Sequence, residues 1–458
     1  MSEILKEMDL PSILRMRKIV PNLTETKALW QALYEKYSNS LPKLFQLDKP
    51  ISACTAEELE RVLLRWQSTN DIWKSPSVTP TRVRKVETEV KVTCMRLLRG
   101  GRWLLMATQT GEVIYADLES PEIAVAQLIP RQSVPNQNNL NVHTNIDIEV
   151  DMLQSESGEL AFNLALVESG NVGGVPSRVR VWSVVSTSEA LEARLLSEFY
   201  LDRHLAFISS MSLHGPHMAF SALALLLGSS YTIIVKWDEV NNHGPPFGPS
   251  YPMKVFPSQL YHYVRLLPNA RLFCVGESSG HGGAETNFNI FDFSKIQSVT
   301  ELSAGTRVQP IWKEELSDAP FDEISQPFIC ASDIRFVFTI YDDGVCGIII
   351  PNDMTTPQIV ELGEETDEQG MRGTISYGYR KSVRILSSSV RSQATVSLAL
   401  STHSWPDDDA KEQASKCTYA LHVVSDHFLA SQPLFDESSG RVVVAGLGGL
   451  RQHIVDLA

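Results

Sequence analysis

Gly100-Gly101-Arg102-Trp103-Leu104-Leu105-Met106-Ala107-Thr108, followed by Thr110-Gly111 and Val113-Ile114-Tyr115-Ala116-Asp117, is the stretch that decides the fold. Two apolar runs of strand length flank a glycine-bearing turn, and the second ends on an acid, which reads as strand, tight turn, strand, polar stop. Beyond Arg82 the same unit recurs. Runs of this kind occupy 113–117, 179–183, 233–238, 288–292, 348–352, 421–425 and 453–456, closing on Asp117, Ser183, Asp238, Asp292, Asn352, Ser425 and Asp456. The closing residues are 66, 55, 54, 60, 73 and 31 positions apart. Seven ends predict seven sheets, and a radial repeat of four-stranded units of this size is a β-propeller. A double-sheet sandwich, the rival, needs fewer units than recur here.

The last unit, Gly440-Arg441-Val442-Val443-Val444-Ala445 with Gly448-Gly449 and the run at 453–456, stops at Ala458 after its third strand. An outermost strand is missing there, and residues 83–92 are expected to supply it and lock the ring; Val86, Val90 and Val92 share the parity of such an edge filler.

Upstream the texture is helical. Trp30, Leu33, Tyr34 and Tyr37 fall on one helix face, and Thr55 with Glu58 forms a capping box ahead of Leu59, Val62, Leu63 and Trp66. Trp30, Trp66 and Trp73 are expected to build the core of this small unit rather than to anchor a partner. The Pro/Ser/Thr stretch at 75–81 reads as a linker. The expected organisation is thus multidomain α plus all-β: a helical module and connector at 1–74, the linker, and a seven-bladed propeller at 82–458.

At 458 residues and 51.0 kDa the chain is long enough for two cores. Residues 1–90 carry 14 Lys and Arg against 12 Asp and Glu, so of the full 40 and 54, the rest hold 26 and 42, a net charge of -16. Such a surface repels phosphate backbones, which disfavours nucleic acid and anionic membrane as partners. The six cysteines contain no C-x-x-C pair, neither a disulfide framework nor a zinc signature. No signal peptide or span-length apolar run is visible, so a soluble protein of the cytoplasm and/or nucleus is expected.

No catalytic constellation emerges, and neither a cofactor nor a metal is expected. Gly280-His281-Gly282-Gly283 resembles an oxyanion loop but lacks a G-x-S-x-G elbow and reads as a loop. His214-Gly215-Pro216-His217 could bring two imidazoles together, yet its Gly-Pro pair favours a turn. The acidic runs at 361–368 and 407–409 read as solvated loops, and a central carboxylate pair for glycoside hydrolysis is a minor alternative. Arg82, Arg84, Lys85, Lys91, Arg96, Arg99 and Arg102 cluster at the start of the β region. Arg82 and Arg84 share a strand face and would suit an acidic partner, although a charged strand edge that blocks unwanted pairing is the commoner use.

The opening helices resemble an F-box. Ile4-Leu5, Met8, Leu10-Pro11, Ile13-Leu14, Ile19-Val20 and Leu29-Trp30 follow the family's order of aliphatic pairs, Leu-Pro step and Leu-Trp helix. Together with the segments around Gly100–Leu105 and 435–442, the chain looks like fungal F-box proteins that end in a WD-repeat-like propeller, in which Trp237-Asp238 is the single Trp-Asp pair. The resemblance implies a non-enzymatic substrate-recognition subunit of an SCF-type cullin-RING ubiquitin ligase. Its partners would be a Skp-type adaptor, a cullin and an unknown substrate protein. The adaptor contacts it implies are Ile4, Leu5, Met8, Leu10, Pro11 and Leu14, with Ile19, Val20, Leu29 and Trp30 in the module's core. Only nine residues separate Val20 from Trp30, fewer than the family carries, and this supports the alternative: a propeller interaction scaffold with a degenerate F-box and no ligase role.

Overall fold

The computed structural model describes residues 8–19, 26–40, 46–75, 79–131, 144–153, 159–170, 176–187, 190–224, 228–240, 251–280, 283–302, 305–316, 321–340, 344–363, 374–388, 395–407, 416–421 and 432–458. Seven antiparallel sheets form a ring. Their innermost strands are Val92–Leu97, Thr144–Met152, Leu205–His214, Tyr261–Leu267, Phe321–Ile324, Ile375–Tyr377 and Leu434–Asp436, and define blades 1 to 7. A short extra strand joins blade 3 at Ser298–Val299 and blade 5 at Phe328–Ile329.

Both faces of a blade pack on neighbouring blades, so its middle strands must be apolar throughout rather than alternating. Trp103–Thr108, the second strand of blade 1, is buried at every position, and Val113–Asp117 at all but its last. Each adjacent pair of blades encloses its own core. Leu164, Phe162 and Trp182 of blade 2 meet Leu105 and Val113 of blade 1, and Phe273, Phe288, Phe336 and Phe338 pack together between blades 4 and 5, Phe273 stacked on Phe336.

Ring closure follows the expectation in substance. Arg82–Glu87 pairs antiparallel with Arg451–Asp456 as the outermost strand of blade 7, with Val86 only 2% exposed in the core shared with blade 1. This closing strand is shorter than 83–92: it ends at Glu87, and Val92 already opens blade 1. One repeat end is also misplaced. The run at 421–425 begins at the last residue of blade 6's outermost strand, Lys416–Leu421, whereas the third strand is Thr395–Thr402, which ends on hydroxyls instead of an acid.

Innermost strands have one edge facing the channel, where backbone groups lack ladder partners. Hydroxyls from neighbouring strands satisfy several of them. Thr93 Oγ1 donates to the Ile146 carbonyl at 3.2 Å and Ser209 Oγ to that of Tyr261 at 2.7 Å, while Ser210 and Ser212 accept from the Val264 and Leu266 amides.

The module contains α1 (Leu10–Arg17), α2 (Lys27–Ser40) and α3 (Ala56–Trp73). Asp9 caps α1 by accepting from the Ser12 amide at 2.8 Å, and Thr55 with Glu58 completes the expected box on α3. Leu10, Ile13, Leu29, Trp30, Leu33, Leu59 and Leu63 form its core, with Trp66 packed against it. Ile19, expected inside, is 79% exposed because the chain leaves the helix before it; Val20 lies outside the described residues. No helix among the described residues is long and apolar enough to cross a membrane.

Candidate functional site

Trp73, the last residue of α3, is 2% exposed, but it is buried in the propeller and not in the module. Its ring packs with Val383, Leu398, Val442 and Leu457 between blades 6 and 7, and its Nε1–H donates to the Ser401 carbonyl at 3.2 Å. Lys381 lies 5.1 Å from the ring centroid and also bonds Asn70, one turn earlier. The connector helix is therefore anchored on the propeller.

A further contact set reaches blades 7 and 1. Arg65 Nε donates to the Ser439 carbonyl at 3.0 Å, and its Nη1 meets Glu119 at 2.5 Å. Thr69 sits so close to Gly440 that a Cβ there would lie 2.8 Å from the Thr69 hydroxyl; the glycine's φ of +64° disfavours other residues as well. Ahead of α3, Asp48 accepts from Arg102 at 2.6 Å and from the Trp103 indole at 2.9 Å, and its carbonyl accepts the Leu160 amide of blade 2 at 3.2 Å.

These anchors exploit a repeated device. In blades 1 and 7 an arginine at the head of the second strand bonds the aspartate that ends the third: Arg102 to Asp117 at 2.7 Å and Arg441 to Asp456 at 2.5 Å. Both pairs are 15 residues apart in sequence, a spacing that sequence reading did not use. Arg441 also bonds the Gly101 carbonyl and Glu119 of blade 1. Burial pushes the Glu119 carboxyl up, but Arg65 and Arg441 outweigh it and hold the pKa below the ordinary value. All these contacts lie at first-to-second-strand turns or third-strand ends. The module thus covers one face of the ring across blades 6, 7, 1 and 2, and among the described residues it leaves open the face where the innermost strands begin.

The channel is charged. Glu149 receives Arg265 and, at 3.4 Å, Arg96; Arg96 also lies 3.5 Å from Asp147, and Cys94 donates to Asp147 at 2.8 Å. Burial raises the Cys94 thiol to about 12, which keeps it protonated and unreactive. Burial works against the charge on Arg96, but the Glu149 and Asp147 carboxylates beside it keep it charged. Glycoside hydrolysis needs one carboxylate protonated or both free to act, whereas guanidiniums hold this pair. Among the described residues no group of three His, Cys, Asp or Glu side chains is placed to hold a metal. The fold is a seven-bladed propeller, and among its described residues the channel carboxylates Asp147 and Glu149 are tied to arginines.

Of the adaptor set implied by resemblance, Ile4 and Leu5 lie outside the described residues. Leu10 is fully buried, its amide bonded to the Tyr37 hydroxyl at 3.1 Å, and offers no surface to a partner. Met8 and Leu14 are half-buried against the module core and Pro11 is exposed. The two histidines face each other across the 214–217 hairpin, but each is engaged elsewhere: His214 Nδ1 lies 3.3 Å from Asp151, and His217 meets the Phe293 ring. Gly280 and Gly283 end a blade 4 hairpin whose His281 and Gly282 lie outside the described residues. Asp407 lies exposed in a turn, as expected, and from there pairs with the buried Arg335 at 2.6 Å; Glu361 lies within a blade 5 strand, and 364–368 and 408–409 are not described.

No protein-family model matches the chain, and no curated protein sequence does. In structure it is similar to the β-propeller domain of Cps50 (Swd1) from Myceliophteria thermophila, at 12% identity and a TM-score of 0.47, over 83% of this chain and 100% of that one. It is also similar to the WD40 repeats of RRP9, at 13% identity and a TM-score of 0.43, over 83% and 99% of the two chains. The fission-yeast SCAP WD40 domain gives 14% identity, a TM-score of 0.38 and coverage of 80% and 82%.

Proposed function

We propose that this protein is a non-catalytic interaction scaffold, in which the helical module is a built-in cap on one face of the propeller and a partner protein docks on the other. The placement of Trp73, Arg65 and Asp48 carries this reading, because it commits the module's connector to intramolecular contacts. At the open face Phe207 is 46% exposed beside a bulge in its strand, and His262 is exposed on the next innermost strand. Bulges re-aim side chains at functional rims, and an exposed aromatic in a rim is a natural anchor. The compartment we propose is the cytoplasm and/or nucleus.

A second reading, an adaptor subunit of an SCF-type ubiquitin ligase, is favoured by the exposed Pro11 and Ile19 and half-buried Met8 and Leu14 along one end of the module. Affinity purification at native expression separates the two. On the scaffold reading the co-purifying partner is lost with Phe207→Asp plus His262→Glu and is kept with Met8→Asp plus Leu14→Asp. Recovery of a Skp-type adaptor and cullin that the module variant alone abolishes establishes the ligase reading and contradicts the first.

A further inference from the structure

Between α3 and the closing strand runs a cleft of about 650 Å³, within the range of volumes that hold small ligands. One wall is a single face of α3, with Glu57, Glu60, Arg61, Leu64, Arg65 and Ser68, where the half-buried Leu64 supplies apolar surface; Arg82 and Arg84 line the other. Five arginines stand against four acids in this cleft, in a chain whose net charge is -14. A locally cationic cleft on an acidic molecule needs a reason.

Most of its charges are committed. Asp456 holds Arg84 at 2.7 Å and Arg441 at 2.5 Å, Glu119 holds Arg65 and Arg441, and Glu60 is drawn to Arg17. Glu57 sits in the first turn of α3, where the helix dipole favours an acid. Arg61 and Arg82 are different: both are exposed, they stand on opposite walls, and no carboxylate among the described residues pairs with either. Arg82 uses one guanidinium nitrogen on the Pro121 carbonyl at 2.9 Å and keeps its other donors. Beside it the nine-tenths buried Arg84 side chain leaves its Nε–H without an acceptor.

We propose that this cleft is a docking site for an acidic, extended peptide segment of a partner protein, whose carboxylates bridge Arg61 and Arg82 while an aliphatic side chain between them rests on the half-buried Leu64. Guanidiniums recognise carboxylates through paired, charge-assisted hydrogen bonds, and the apolar strip between the two cations sets the alternation of acid and aliphatic residue. The site lies on the module side of the ring and is independent of what the open face binds.

Fluorescence anisotropy tests it, with a labelled peptide of alternating Glu and Leu and a control that carries Gln for Glu. The whole protein is expected to bind the Glu peptide more tightly than the Gln peptide despite its own negative charge, and less tightly as salt is raised. Arg61→Glu with Arg82→Glu, both at exposed positions, should weaken binding by about tenfold or more, the worth of one charge-assisted pair. Arg194→Glu, an exposed charge reversal on blade 2, should leave it unchanged. Equal binding of the two peptides, or unchanged affinity in a double variant that melts like the wild type, overturns the proposal.

Discussion

His403 shows how much a single buried group can set. It is 4% exposed; the ring donates from Nε2 to the Tyr379 carbonyl at 3.0 Å, and burial, with Arg380 nearby, lowers its pKa from 6.5 to about 4. Between those values the unfolded chain takes up a proton that the folded one refuses. Stability from this residue is therefore full above pH 6.5, falls as the pH drops toward 4, and amounts to about 3 kcal/mol at most. Urea titrations at pH 7 and pH 4.5 should show the loss, and His403→Gln should make it smaller by a comparable amount. Arg441 is the electrostatic counterpart. At 2% exposure it joins Asp456, Glu119 and the Gly101 carbonyl, so Arg441→Ala removes their shared donor while Arg84 and Arg65 still hold the two carboxylates, and should cost about 2–3 kcal/mol. A midpoint shift worth less than 1 kcal/mol would contradict that role.

At the scale of elements, the strand–turn–strand units were readable because burial on both faces makes the middle strands of a blade continuously apolar and the turn and acid mark their ends. Blade 6 escaped that pattern for a physical reason: its third strand ends at Thr402 and His403, so no acid signals the stop. The docking of α3 left no sequence signal of this kind. Arg65 meets Ser439 across 374 residues, and Trp73 meets Ser401 across 328, so neither periodicity nor local spacing relates them. Trp73 was expected in the core of a small helical unit and instead fills the core between two blades, where truncation to alanine should cost about 3–5 kcal/mol. The closing strand gives a sharper test. Val86→Asp places a charge in the core shared by blades 7 and 1 and should open the ring, seen as proteolysis within 79–91, whereas Val83→Asp at a 47% exposed position of the same strand should not.

For the whole molecule, the anchors unite what the sequence divides at residues 75–81. A helix held by Trp73, Arg65 and Thr69 cannot swing freely on a linker, and the strand that follows it closes the ring. Module and propeller should then behave as one cooperative body with one face capped. Native-state hydrogen exchange measures this most directly, residue by residue along α3 and along the strands of blade 7. The slowest amides of α3 are predicted to exchange through the same opening, with the same free energy, as those of Arg441–Ala445 and Arg451–Asp456, and Trp73→Ala should lower all three together. An α3 that exchanges several kcal/mol more easily than blade 7, with blade 7 indifferent to Trp73→Ala, would contradict the account.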